Sequence, residues 1–176
     1  MSVNKVWDKP DEGKRSFGQQ FGVVKSGHKI KICRVIARLN IGGPAIHVLN
    51  LSSGLDRDTF ETMLLTGVVG PNEREMGYLA RALGVKPVVI PGMRREISPF
   101  RDVKSLLTLW RIMRQYKPHV VHTHTAKAGT LGRVAAALAG VPVIVHTFHG
   151  HVLHNYFSPL KSLCFRTIER VLSLLT

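Results

Sequence analysis

Five short apolar runs, each followed by a segment with helical spacing, constrain this chain more than any other feature. The spacing predicts strands over 30–39, 60–69, 87–90, 119–122 and 141–145. Helices are predicted from Pro44 to near Gly54, over 73–83, 100–116 and 128–139, and from 158 to the end. Pro44 suits the first turn of a helix, and Gly54, Gly84 and Gly140 sit where helices should stop. The strands read as unbroken apolar runs rather than alternating ones, as expected when helices cover both faces of a sheet. Strand–helix alternation of this kind implies βαβ units with right-handed crossovers. The expected fold class is therefore α/β, an open doubly wound parallel sheet over residues 30–176. Residues 1–29 are polar and aperiodic and are expected to form a flexible basic and polar tail.

In such sheets, ligands bind beyond the carboxyl ends of the strands, near the point where strand order reverses. Three segments fall there. Gly42-Gly43-Pro44-Ala45 joins strand one to helix one. Its glycines let backbone approach a ligand, and the helix start offers free N–H groups to an anion such as a diphosphate. A plain tight turn would use the same residues. It is not the G-x-G-x-x-G dinucleotide fingerprint. The second segment, His122 to Thr130, places imidazoles, hydroxyls and Lys127 at a helix start, where Thr125 could equally serve as a cap. The third is His146-Thr147-Phe148-His149-Gly150-His151, with His154 following. Six of the nine histidines lie between 122 and 154, a clustering that suits polar-ligand recognition better than a purely structural role.

Taken in order, Arg38 to Ala45, the run Lys117-Pro118-His119-Val120-Val121-His122-Thr123-His124, and Thr147-Phe148-His149-Gly150 resemble the N-terminal Rossmann-like domain of family 4 glycosyltransferases, which have the two-domain GT-B fold. The resemblance covers about residues 29–176 and leaves out the tail. It implies transfer of a sugar from a nucleotide-sugar donor to a glycan or lipid-linked acceptor, as in polysaccharide biosynthesis, usually with retention at the anomeric carbon and without a metal or other cofactor. By the same resemblance, Gly42 and Gly43 pack against the donor diphosphate and His149 is the catalytic histidine facing the reacting sugar. His124, Thr125, Lys127, Thr147 and Gly150 would line the acceptor or substrate side. Members run to about twice this length, and their second α/β domain grips most of the donor. A chain of 176 residues is thus expected to be inactive alone, with an unpaired sheet edge and exposed apolar helix surface.

Charge bears on partners. Lys plus Arg number 25 against 11 Asp plus Glu, a formal net charge of +14, which favours an anionic partner. The residues from 158 onward form an amphipathic helix with Ser162, Arg166, Glu169, Arg170 and Ser173 on one side. Leu160, Leu163, Cys164, Ile168, Val171, Leu172 and Leu175 lie on the other. Packing of the apolar side on the sheet is the plain reading; contact with anionic lipid is the functional one. Arg94, Arg95, Arg101, Arg111, Arg114 and Lys117 are candidates for a basic face toward the inner membrane surface. No apolar h-region or membrane-length run is visible, so a cytoplasmic setting with two reduced thiols, Cys33 and Cys164, is expected. Two other readings fit part of the sequence. His122-x-His124 with His149, His151 or His154 could ligate zinc in a hydrolase, although these loops lack a carboxylate base. The charge could serve nucleic acid, although the basic residues are dispersed and no reader motif is present.

Overall fold

The structure, a computed structural model, describes residues 28–150 and 159–176. Five parallel strands form one sheet: β1 Ile30–Ile36, β2 Phe60–Thr66, β3 Val88–Val89, β4 Val120–His124 and β5 Val143–Thr147. Their order is β3-β2-β1-β4-β5, so the chain winds outward one way from β1, returns, and winds the other way. The helices are α1 Gly43–Ser53, α2 Gly77–Ala82, α3 Pro99–Tyr116, α4 Ala126–Ala139 and α5 Pro159–Ser173. The doubly wound parallel α/β architecture expected from the sequence is the one observed. The 1–29 tail lies almost wholly outside the described residues.

Side-chain alternation along β1 divides the core. Cys33 and Val35 point to one face, beside Leu65 of β2 and Val121 of β4, and Leu109 and Met113 of α3 with Ala128 and Ala135 of α4 close over them. Ile36 and Leu39 join the other cluster, with Ala45, Val48 and Leu49 of α1, Leu64 of β2, and Met76 and Ala80. Burial raises the Cys33 thiol to about 12, so it is an inert core group.

Several predicted ends move. β1 stops at Ile36 and β2 at Thr66, because beyond them the backbone finds other partners. Gly67 N–H bonds the Ala37 carbonyl, Val68 N–H the Met93 carbonyl, Ile41 N–H the Arg74 carbonyl and Met76 N–H the Leu39 carbonyl. Those bonds hold 73–76 in a loop, so α2 begins at Gly77, four residues later than predicted. β4 runs two residues further than predicted, which puts His124 inside a strand. β5 is displaced two residues onward and includes His146 and Thr147.

The last helix docks along the boundary between its two sides. Glu169 of the polar side reaches Arg133 of α4 at 2.6 Å, with side-chain exposures of 12% and 2%, while Arg166, Arg170 and Ser173 stay exposed. Leu172 is buried beside it, while Leu163 and Val171 remain exposed at 54% and 59%. A buried guanidinium demands a counter-ion, and Glu169 meets that demand next to the apolar contact of Leu172. Cys164 lies outside the described side chains.

Candidate active-site cleft

β1 and β4 are neighbours in the sheet, yet the chain leaves their C-terminal ends in opposite directions, to α1 and α4. This is the switch point of the sheet. Gly42 precedes α1 with φ 159° and ψ 166°, a backbone state that side chains with Cβ avoid. Gly43 is the first helical residue, exposed, with open space where a Cβ would sit. Neither α1 nor α4 has a side-chain cap or an acidic residue in its first turn, so the N–H groups of both helix starts are left for a ligand.

Thr125 stands at the start of α4 but does not cap it. Its backbone is held at φ 68°, ψ 157° and its hydroxyl is buried without a partner. Such a conformation persists in a non-glycine residue only when its surroundings impose it. A cavity of about 240 Å³ separates Thr125 from Asn40, Gly42 and Pro44, and thus opens between the two helix starts.

Beside that cavity stand four histidines. His122 and His124 project from the same face of β4, their rings 4.0 Å apart between centroids. His124 Nδ1 lies 3.0 Å from His149 Nε2. His47 of α1 packs edge-on against both, at 5.9 Å from His124 and 5.3 Å from His149. His122 Nε2 and the Thr147 hydroxyl share a 2.7 Å hydrogen bond. One register step deeper, Arg34 lies opposite His122. Only 4% of its surface is exposed, and its Nε and Nη1 have no hydrogen-bond partner among the described residues. His146 points to the other face, where Thr123 Oγ1 meets its Nδ1 at 2.8 Å.

Burial lowers His122 to about 4 and His124 to about 2, and in each case the neighbouring charges that add to the effect are Arg34 and other histidines. Burial, then His47, also lowers His149. His122, His124 and His149 are therefore neutral at physiological pH, with the Arg34 guanidinium at their base.

The structure thus gathers Gly42, Gly43, Thr125, His124, Thr147 and His149 at one end of the sheet. Gly150, with φ 155°, closes the described part of the third segment; His151 and His154 lie outside the described residues. Lys127 is differently engaged. Its ammonium makes a 2.6 Å ion pair with Asp102 of α3 and bonds the Glu96 carbonyl. Among the described residues no three His, Cys, Asp or Glu side chains are arranged to hold a metal ion. Sequence reasoning missed Arg34 and His47. A charge inside the run Ile-Lys-Ile-Cys-Arg-Val-Ile was the available signal for the first; nothing marked the second.

Fold and cleft together define a Rossmann-like domain whose ligand end offers backbone N–H groups and neutral imidazoles. The chain belongs to the glycosyl transferase 4-like domain family, whose model matches residues 42–173. It is 34% identical over 157 residues to the UDP-Gal:alpha-D-GlcNAc-diphosphoundecaprenol alpha-1,3-galactosyltransferase of Escherichia coli, covering 83% of this chain and 37% of that protein. A shorter match, 35% over 54 residues, covers 31% of this chain and 15% of the UDP-N-acetylglucosamine–N-acetylmuramyl-(pentapeptide) pyrophosphoryl-undecaprenol N-acetylglucosamine transferase of Shewanella halifaxensis. Among solved structures, Neisseria meningitidis UDP-GlcNAc 2-epimerase superposes with a TM-score of 0.55 at 17% identity, over 81% of this chain and 38% of that one. Acinetobacter baumannii MurG gives 0.51 at 19%, over 78% and 39%. These likenesses establish the GT-B type of Rossmann-like fold. The chain spans less than two fifths of the length of the E. coli relative.

Proposed function

We propose that this domain is the acceptor-side half of a nucleotide-sugar glycosyltransferase that adds a hexose to a lipid-linked sugar diphosphate. The observation that carries the reading is the convergence of two uncapped helix starts on one cavity beside a cluster of neutral histidines. The departing nucleoside diphosphate needs its charge met, and the N–H groups at Gly43 and at the start of α4 supply dipoles for that without a metal. Gly42 and Gly43 let the diphosphate approach. His149 faces the reacting sugar, with Thr125, Thr147 and Gly150 along the acceptor side; His124, expected there, is fully buried behind His149. Transfer proceeds with retention. The E. coli relative acts, by its name, on a UDP-sugar and a diphosphoundecaprenol acceptor, and the same classes of substrate are proposed here. The second half of the cleft is not supplied by these residues, so the chain by itself transfers no sugar.

The surface of α3 supports a peripheral contact with an anionic, cytoplasm-facing membrane. Phe100 is 93% exposed and Ile97 79%, with Val103 and Leu107 also exposed. Lys104, Arg111 and Arg114 share the helix side of Phe100 and Leu107, and Arg94, Arg95 and Arg101 are exposed nearby. Apolar side chains ringed by cations suit the headgroup boundary of anionic lipid. No helix among the described residues is long and apolar enough to cross a membrane.

The test uses the chain labelled with 15N-histidine. Adding a short-chain polyprenyl-diphosphate N-acetylglucosamine should shift the His124 and His149 resonances, and the polyprenyl alcohol alone should not. No shift with the sugar diphosphate, or turnover of a UDP-sugar by the chain alone, would overturn the reading.

A further inference from the structure

His124 Nδ1 and His149 Nε2 face each other at 3.0 Å, so one nitrogen carries the proton and the other accepts it. Which one is decided at the far side of the His124 ring. His124 is fully buried, and its Nε2 has no hydrogen-bond partner among the described residues. If Nδ1 accepted, the neutral ring would carry its proton on Nε2, leaving a buried N–H without an acceptor. If Nδ1 donates, Nε2 is left with only a bare lone pair. An orphaned buried donor is the rarer and costlier state.

We infer that His124 is a positioning residue that fixes the tautomer of His149: His124 Nδ1–H donates to His149 Nε2, and His149 stands neutral with Nδ1–H as the atom it offers to the cleft. Protonating His149 would set N–H against N–H unless His124 reversed its tautomer, which recreates the orphaned donor. The groups around the pair oppose that charge as well. His47 of α1 and His124 of β4 pack directly against His149. His122 stacks on His124, Arg34 of β1 lies opposite His122, and the charges that shift these rings are all cationic. The ring therefore gives an uncharged hydrogen bond to an oxygen lone pair of the ligand. The assignment rests on the proposed function only for what that oxygen belongs to.

Long-range 1H–15N spectra of the 15N-histidine-labelled chain at neutral pH read the tautomer directly, with the His149 signals identified by their loss in His149→Gln. The expected spectrum has His149 Nδ1 at the protonated, upfield position and Nε2 at the unprotonated, downfield one. In His124→Phe, which removes the donor, the two positions should exchange as the ring reverts to the Nε2–H form preferred by free imidazole. In His124→Asn, whose amide N–H can replace Nδ1–H, they should return toward the original. A wild-type His149 that is Nε2-protonated or doubly protonated overturns the inference, as does a tautomer unchanged in His124→Phe. The wild-type spectrum decides the matter even if a variant fails to fold. It needs no ligand, so its failure is distinct from failure of the proposed acceptor binding.

Discussion

Arg133 and Glu169 join α4 to α5 through a 2.6 Å ion pair that is nearly closed to water. Arg133 Nε also bonds the Gly129 carbonyl, so the guanidinium is locked from both sides. Replacing Glu169 with Ala leaves that cation buried and unpaired. The expected loss is about 3 kcal/mol, measured by urea unfolding. Replacing the pair together, Arg133→Met with Glu169→Leu, should recover most of it, since no buried charge then remains. A single variant as stable as wild type would show that α5 is not held through this pair.

How legible α5 was in the sequence depends on this same contact. Its amphipathic spacing predicted a helix and a helix formed, but the ion pair that ties it to α4 depends on a charge on another element, which the spacing does not show. The alternation of strands and helices was readable because each apolar run is short, continuous and bounded by glycine or proline. The ends were not, because β1 and β2 stop where Gly67 and Ile41 turn to partners outside the sheet. The histidines of β4 and β5 announced themselves by clustering. Arg34 did not, since its place opposite His122 exists only once β1 and β4 are in register. Thr125, which the sequence offered as a substrate-side residue or equally as a helix cap, does not cap α4 and is a strained residue with an idle hydroxyl.

Gly67 sits where no side chain fits. A Cβ there would approach the Met93 and Ala37 carbonyl oxygens to 2.0 and 2.2 Å. Both oxygens are backbone atoms bound into the crossing of β1, β2 and the β3–α3 loop, since Ala37 accepts from Gly67 and Met93 from Val68. They cannot turn aside as a side chain would. Gly67→Ala should cost about 3 kcal/mol or more, seen as a lowered unfolding midpoint or as loss of the soluble protein. Gly43→Ala, with open space at the same atom, is the control and should unfold close to wild type.

Lys127 and Asp102 pair at 2.6 Å with side-chain exposures of 17% and 16%, tying the start of α4 to the start of α3. If the ammonium mainly holds these helix starts together, the stability losses of Lys127→Ala and Asp102→Ala should not add. A coupling of about 1 kcal/mol is expected from the double-mutant cycle. Additive losses would free Lys127 for a role toward ligand instead.

The histidine cluster sets the acid limit of the fold. His122 titrates near 4 and His124 near 2 in the folded chain, against about 6.5 for an unfolded histidine. The unfolded chain therefore binds more protons than the native one below about pH 6.5, and stability rises with pH wherever that holds. Stability from these two rings is fully present above pH 6.5. It declines as pH falls, through about 4 for His122 and further for His124. Unfolding midpoints in urea between pH 7.5 and 4.5 should fall steadily. His122→Phe should flatten that slope by removing one of the protons taken up on unfolding. An unchanged slope in His122→Phe would mean that this ring takes up its proton at the same pH in the native cleft as in the unfolded chain, so that burial beside Arg34 does not hold it neutral.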